Sequence, residues 1–356
     1  MSDLRARAHA LRDQFVAAGA QVVDPPVLQP ADLLLDLYGE DIRARAYVTS
    51  DAMRGEQMLR PDFTVPVVQM HMAHGADPAR YTYAGEVFRR QEADPDRASE
   101  YLQVGYEVFE RSDPAAADAE VFSLISQMVE PLGLRAATGD IGILMAAVDG
   151  LNTTQRRKAA LRRHIWRPRR FRALLDRFGG RTKMPDSRRA VLAGALGTDA
   201  PLTGLRTQDE IETRIAALKA DAEEPPISNA EMEGLDALLA VRETLPYALS
   251  QLHDLRVDLP AIRDAVTRVD TRADALAKRG VDVERLEFEA SYGRTSMEYY
   301  DGFVFGFYAE SRPDLPPVAT GGRYDALTQR LGGGAAIPAV GAVLRPDLMA
   351  LLEGAL

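Results

Sequence analysis

The sequence contains no cysteine, one tryptophan and five histidines. Without thiols there can be no disulfide, thiolate nucleophile or Cys-based zinc site, a composition that suits a reducing cytosol. The histidines His9, His71, His74, His164 and His253 are scattered along the chain. His71 and His74 stand one helical turn apart without an acidic neighbour in sequence, so no metal site is expected. Long apolar runs are missing too. Nothing approaches the roughly 18–20 apolar residues that span a bilayer. The N-terminus, Met1-Ser2-Asp3-Leu4-Arg5, is charged where a secretory signal would be apolar. A soluble, cytoplasmic protein with no membrane partner and no cofactor is expected. Positive charge is in deficit: 43 Lys and Arg stand against 53 Asp and Glu, for a net charge of −10. The long-range field of such a chain opposes a polyanion, which disfavours nucleic acid as a partner.

What is present is a globular composition, with 46% hydrophobic and 27% charged residues over 356 positions. That length suits one large domain or two ordinary ones. Leu4, Ala8, Leu11, Phe15 and Val16 recur near the helical period, predicting a helix over 4–18 that ends near Gly19. Residues 20–23 read as a strand, 31–38 as a helix, 47–49 and 57–60 as strands, and 64–73 as a helix. Residues 80–88 and 101–109 alternate aromatic and apolar residues as the arms of a hairpin around a polar connector, 89–100. A helix over 116–132 and a strand over 136–143 follow.

From about residue 151 the texture becomes rich in Ala, Leu, Arg, Glu and Asp with helical periodicity. We read 151–283 as a mainly helical insertion, its acidic run 221–224 as a solvated loop. Residues 284–290 and 299–308 then read as strands, 321–324 as a turn and 344–352 as a final helix. The expected fold class is α+β: an antiparallel-dominated sheet flanked by helices, formed by 1–150 and 284–356 and split by the insertion.

Four short constellations carry polar groups suited to chemistry. Arg89 ends one arm of the hairpin, while Gln103 and Glu107, four apart on the returning arm, face the same side. An arginine there can grip a carboxylate or phosphate, or can form a structural ion pair. Asp62 and Thr64 stand at a strand-to-helix junction, where these residue types bind ligands or merely cap the helix. Tyr299 and Tyr300, adjacent in a strand, point to opposite faces, so one alone would easily line a given pocket, and ordinary core packing is the other reading. Gly321 and Gly322, followed by Arg323, permit close backbone approach to a ligand or simply make a turn.

Taken in order and spacing, these stretches resemble the class II aminoacyl-tRNA synthetases, histidyl-tRNA synthetase in particular, over 1–150 and 284–356. Tyr83-Ala84-Gly85-Glu86-Val87-Phe88-Arg89-Arg90 resembles the second class-defining motif, and Gln103-Val104-Gly105-Tyr106-Glu107-Val108-Phe109 its return strand. The stretch 59–64 resembles the segment whose acidic residue, here Asp62, holds the substrate amino group. Tyr299-Tyr300 resembles the tyrosine pair of the imidazole pocket, and Gly321-Gly322-Arg323-Tyr324-Asp325 the second histidine-specific motif. The resemblance implies a histidine-like ligand pocket of Asp62, Thr64, Arg89, Gln103, Glu107, Tyr299, Tyr300, Gly321, Gly322 and Arg323. Residues 19–30, with Pro25-Pro26, are similar to the dimerisation element of the class.

The catalytic pattern is broken at several positions. Activation of an amino acid by ATP needs cations aimed at the phosphates. In the third class motif, Val340-Gly341-Ala342-Val343-Leu344 and the helix after it, the arginine position holds Leu348, with Arg345 three residues away. The position of a further catalytic arginine holds Thr295, with Arg294 one step off, and the adenine-contacting glutamate is Gln91, followed by Glu92. The chain also stops where a catalytic domain would end, without an anticodon-reading domain. This combination resembles the regulatory subunits of ATP phosphoribosyltransferase. That likeness implies a non-catalytic chain partnered with a short-form catalytic subunit, paired with itself as a homodimer within a hetero-octamer. Such a chain activates its partner and transmits feedback by L-histidine. An active aminoacylating or adenylating enzyme is the alternative.

Residues 156–181 are densely basic: Arg156, Arg157, Lys158, Arg162, Arg163, Arg167, Arg169, Arg170, Arg172, Arg177 and Arg181, with His164 and Trp166 among them. RNA binding, a subunit contact and an internally paired face all remain open for this stretch.

Overall fold

The computed structural model describes residues 2–38, 45–90, 98–194, 204, 206–294 and 299–354. Helix α1 (Ser2–Ala17) buries Ala8, Leu11 and Phe15, and Gly19, at φ +97°, turns the chain into β1 (Gln21–Val22). Then follow β2 (Leu28–Pro30), α2 (Ala31–Tyr38), β3 (Val48–Asp51), β4 (Gly55–Leu59) and α3 (Thr64–His74). The hairpin arms are β5 (Ala79–Phe88) and β6 (Glu100–Phe109), paired antiparallel along their length. Most of their connector lies outside the described residues. Next come α4 (Pro114–Val129), β7 (Arg135–Asp140) and α5 (Ile141–Gly150).

The expected strand over 136–143 therefore ends early. The Asp140 carboxylate accepts the Gly142 N–H and starts α5, so the apolar run after it is a buried helix. The helices α6 (Gln155–Arg163), α7 (Pro168–Phe178), α8 (Asp186–Leu192), α9 (Gln208–Glu223) and α10 (Asn229–Ala240) follow. After them β8 (Arg242–Thr244), α11 (Leu245–Asp258), α12 (Arg263–Lys278) and β9 (Glu287–Glu289) lead back to the sheet. The chain closes with β10 (Phe303–Tyr308), β11 (Ala319–Arg323), α13 (Asp325–Leu331), β12 (Ala339–Leu344) and α14 (Pro346–Leu352).

Among the described residues the main sheet has nine strands in the order β1-β5-β6-β12-β11-β10-β7-β9-β8, and β2, β4 and β3 form a smaller one. The pairings within β5-β6-β12-β11-β10-β7 are all antiparallel. Strand β8, from the mainly helical stretch, pairs with β9 at the sheet edge.

Register separates the two faces. Tyr81, Glu107, Gly341, Gly322 and Val304 stand opposite one another across five strands, and Tyr83, Gly105, Val343, Thr320 and Gly306 form the next row on the same face. The other face carries Tyr106, Ala342, Gly321 and Phe305, and helices bury it. Phe15 of α1 stacks on Tyr106 at 4.9 Å, and Phe122 of α4 packs against Phe303, Phe305 and Phe307.

Three expectations near the C-terminus change. Residues 321–323 are not a turn but the end of β11, in the middle of the sheet. The aromatic strand begins at Phe303, so Tyr299 and Tyr300 precede it. There Asp301 accepts the Asp325 and Ala326 N–H groups at the start of α13, which bends the chain before Gly302. The final helix starts at Pro346 because residues 339–344 continue the sheet. Among the described residues, no helix is long and apolar enough to cross a membrane.

Candidate functional site

The glycine-rich face forms the floor of the site, and its centre is Glu107. The carboxylate is 1% exposed and lies over Gly341, where a Cβ would come within 1.6 Å of Oε2. Only glycine admits the side chain there. Burying a carboxylate requires partners, and three hydroxyls supply them. Thr64 and Tyr83 donate to Oε1 at 3.0 and 2.9 Å, and Tyr324 donates to Oε2 at 2.5 Å. Among the described residues no cation pairs with it. Burial, helped by nearby Asp62, outweighs these hydrogen bonds and pushes the Glu107 carboxyl up to about 7.

Asp62 and Thr64 reach Glu107 from the start of α3. Asp62 is itself buried, and its Oδ1 accepts the Val65 N–H at 3.3 Å, so it serves the helix end while standing in the field of Glu107. Gln103, two residues along β6 from Gly105, is 1% exposed, and its Oε1 has no hydrogen-bond partner among the described residues. Such a buried acceptor calls for a donor. Tyr299 and Tyr300 lie edge to face at 5.0 Å, and Tyr299 also meets Tyr324 at 6.1 Å. Both rings stand near Asp62 and Glu107, whose charges raise the two phenols further after burial has done most of it. The opposite-face expectation fails because the pair is not in a strand. The Tyr300 ring occupies the space that a side chain on Gly322 would fill, at 2.7 Å from the built Cβ.

Two expected pocket residues go elsewhere. Arg323 projects from the helix-covered face. Its Nε and Nη2 donate to Asp118 Oδ1 at 3.0 and 2.7 Å, and its Nη1 donates to Asp325. Arg272 joins the same buried network through Asp118 and Asp140. Gly321 also belongs to that face, beneath the Phe305 ring. In both cases the alternation of β11 decides: residues 321 and 323 share one side, Gly322 the other. Arg89 stays near the site as a support, with Nε donating to the Pro61 carbonyl at 2.6 Å and holding the turn that carries Asp62.

Tyr83 and Tyr324 were missed as site residues, although both stood inside the motifs. The register that faces Tyr83 toward Glu107 was the available signal; for Tyr324 no local pattern reveals the direction of the ring.

Leu348 is buried on α14, and Arg345 lies with its guanidinium carbon 5.5 Å from the Tyr101 ring centre. Gln91, Glu92 and Thr295 lie outside the described residues. Within the basic stretch, Arg157 pairs with Asp221, Arg162 with Asp149, and Arg172 and Arg181 with Asp236. Asp221 is thus a half-buried counter-ion on α9 rather than part of a solvated loop. Among the described residues no group of three His, Asp or Glu side chains could hold a metal ion.

The arrangement provides two neighbouring acidic groups, an unpartnered amide oxygen and an aromatic wall over a glycine floor. It suits the cationic or hydrogen-bond-donating end of a small polar ligand.

The model of the family described as Histidyl-tRNA synthetase matches residues 2–208 and 212–349. A protein of Brucella ovis named ATP phosphoribosyltransferase regulatory subunit is 32% identical over 371 residues, covering 97% of this chain and 96% of its own. Its namesake in Brucella abortus shows the same identity and coverage, 32%, 97% and 96%. Among solved structures, an ATP phosphoribosyltransferase regulatory subunit/histidyl-tRNA synthetase from Bacillus halodurans superposes with a TM-score of 0.68 at 20% identity, covering 99% of this chain and 79% of its own. A histidyl-tRNA synthetase from a Nostoc species gives 0.64 at 16% identity, covering 99% and 72%. At these identities the structural likeness concerns the fold.

Proposed function

The chain belongs to the family of ATP phosphoribosyltransferase regulatory subunits, built on the histidyl-tRNA synthetase fold, and from that membership we propose how it works. It serves as the non-catalytic subunit that activates a short-form catalytic subunit and carries feedback by L-histidine in the first step of histidine biosynthesis. Histidine would occupy the glycine-floored pocket formed by Asp62, Thr64, Gln103, Glu107, Tyr299, Tyr300 and Gly322, with Arg89 supporting its rim.

The observation that carries this reading is Glu107: a buried carboxylate held by three neutral hydroxyls, so that a cationic group of a ligand can supply the missing counter-charge. The buried Leu348 supports the regulatory role, since a leucine offers no charge to a phosphate. Residues 1–150 and 284–356 would act as the synthetase-like core and 151–283 as a mainly helical insertion. Val22, Val27, Leu28 and Val48, apolar and exposed along the small sheet and its neighbour, support the homodimer expected within a hetero-octamer. A cytoplasmic location follows from this role.

Reconstitution with the short-form catalytic subunit tests the proposal. The chain should raise the rate of ATP condensation with phosphoribosyl pyrophosphate, and L-histidine should inhibit the complex. Glu107→Gln should keep the activation and lose the inhibition. Histidine-dependent exchange of pyrophosphate into ATP by the isolated chain would instead make it an adenylating enzyme.

A further inference from the structure

Beyond Tyr300 lies a separate cleft of about 350 Å³, bounded by Tyr292, Arg294, Tyr300, Tyr308, Thr320 and, from the start of α7, Pro168. Neither Glu107 nor its hydroxyl partners line it. Arg294 is the cation among its described lining residues.

That arginine is 6% exposed. Its Nε donates to the Ile165 carbonyl at 2.9 Å, and its guanidinium carbon lies 4.7 Å from the centre of the Phe171 ring. Its Nη2 is buried with no hydrogen-bond partner among the described residues. No carboxylate among those residues lies within ion-pair distance of it. Glu289, the acid on the cleft wall, is engaged elsewhere: Ser291 donates to Oε1 at 2.5 Å, and Arg242 lies 3.8 Å from Oε2. Burial, with Arg172 nearby, pulls the Arg294 guanidinium down to about 10. A buried charge with a spare donor and no counter-ion is costly, and an incoming oxyanion would relieve both deficits.

We propose that this cleft is a second small-molecule site, for a carboxylate or phosphate carried on a flat aromatic body, with Arg294 as the anion-binding residue. Tyr292, Tyr300 and Tyr308 give the cleft an aromatic lining suited to such a body, and the cleft volume falls in the range of about 300–1,000 Å³ typical of small-ligand pockets. The guanidinium that takes the anion also holds Ile165 and Phe171, so occupancy is communicated to the segment between α6 and α7. Tyr300 is the wall shared with the Glu107 pocket, but the assignment rests on Arg294 and does not rest on the histidine reading.

Trp166 follows Ile165 and is the sole tryptophan, which makes its emission a reporter. The full chain is titrated with phenyl phosphate and with benzoate, phenol serving as the uncharged control, and binding is followed by Trp166 fluorescence and calorimetry. At least one of the two anions should bind saturably and phenol at least tenfold more weakly. Which anion binds tells phosphate from carboxylate. Arg294→Gln should weaken binding tenfold or more, and Arg294→Lys, which keeps the charge and loses the fork, about fivefold. The lysine variant decides the matter if the glutamine variant fails to fold. Arg170→Gln should leave binding unchanged. Failure of both anions to bind, undiminished binding in the Arg294 variants, or loss of binding in Arg170→Gln would overturn the assignment.

Discussion

The Tyr324 hydroxyl donates to Glu107 Oε2 at 2.5 Å, joining the residue that follows β11 to the C-terminal part of β6 across β12. With Thr64 and Tyr83 on Oε1, it places a carboxylate in the protein interior without a cation. The hydrogen bonds favour the charged form and burial disfavours it; burial wins, so the carboxyl rises to about 7 from an ordinary 4.5. A carboxyl with a raised folded-state pKa stabilises the fold below its unfolded value, and that contribution is lost as pH climbs through the folded value. Urea unfolding should therefore show stability falling between pH 4.5 and about 7 on account of Glu107. Glu107→Gln should flatten this part of the profile. An unaltered profile would place the titration elsewhere. Asp301, also raised to about 7 by burial and by Asp325, contributes in an overlapping window and is separated by Asp301→Asn.

Gly341 is the floor beneath that carboxylate. A methyl group there meets Glu107 Oε2 at 1.6 Å and the Tyr106 carbonyl at 3.1 Å, so the Glu107 side chain has to give way. Gly341→Ala should cost about 1–3 kcal/mol of stability, the usual range for overpacking. It should also abolish histidine inhibition of the reconstituted complex, because the carboxylate must swing away from its three hydroxyls. Retained inhibition would move the histidine site off Glu107.

Several of these relationships could be read in the sequence and others could not, and the division has physical reasons. Alternation in β5 and β6 set Gln103 and Glu107 on one face, and the strand-to-helix junction located Asp62 and Thr64. Alternation failed at Tyr299 and Tyr300 because their aromatic character resembles a strand, whereas the contacts of Asp301 with the start of α13 hold this stretch as a bend. Gly321-Gly322 suggested a turn because glycine is most often needed there. In this fold the same glycines make room for the rings of Phe305 and Tyr300 in mid-sheet. Arg323 was assigned to the pocket by motif alone. Its partner Asp118 lies 205 positions away, beyond the reach of any local pattern.

Arg323 should therefore affect the fold and leave ligand recognition alone. It is 8% exposed and shares Asp118 with Arg272. Removing one partner of a buried ion pair typically costs about 3–5 kcal/mol, because the remaining charge is stranded. Arg272 still serves Asp118, so Arg323→Met should fall near the lower end, about 3 kcal/mol by urea unfolding. At a temperature where the variant is folded, histidine affinity by calorimetry should match the wild type. A selective loss of affinity without loss of stability would return Arg323 to the pocket.

The basic stretch divides in the same way between inward and outward arginines. Arg157 is 5% exposed; its Nε donates to Asp221 at 2.7 Å, and its Nη atoms donate to the Pro225 and Asp221 carbonyls at 2.7 Å each. It closes the ends of α6 and α9 together, and Arg188 adds a second bond to the same carboxylate. Arg170 is exposed on α7. Arg157→Leu should cost about 3 kcal/mol, the lower end for a broken buried pair, because Arg188 still serves Asp221. Arg170→Gln should change stability by less than about 0.5 kcal/mol, as surface substitutions usually do. Denaturation of the two variants at low and high salt separates the cases further. The Arg157 penalty should persist at 1 M salt, because a buried pair is poorly screened, whereas mutual repulsion among exposed arginines weakens over a Debye length of about 3 Å. Equal penalties for both variants would mean that the stretch is held by its surface charge rather than by its interior pairs.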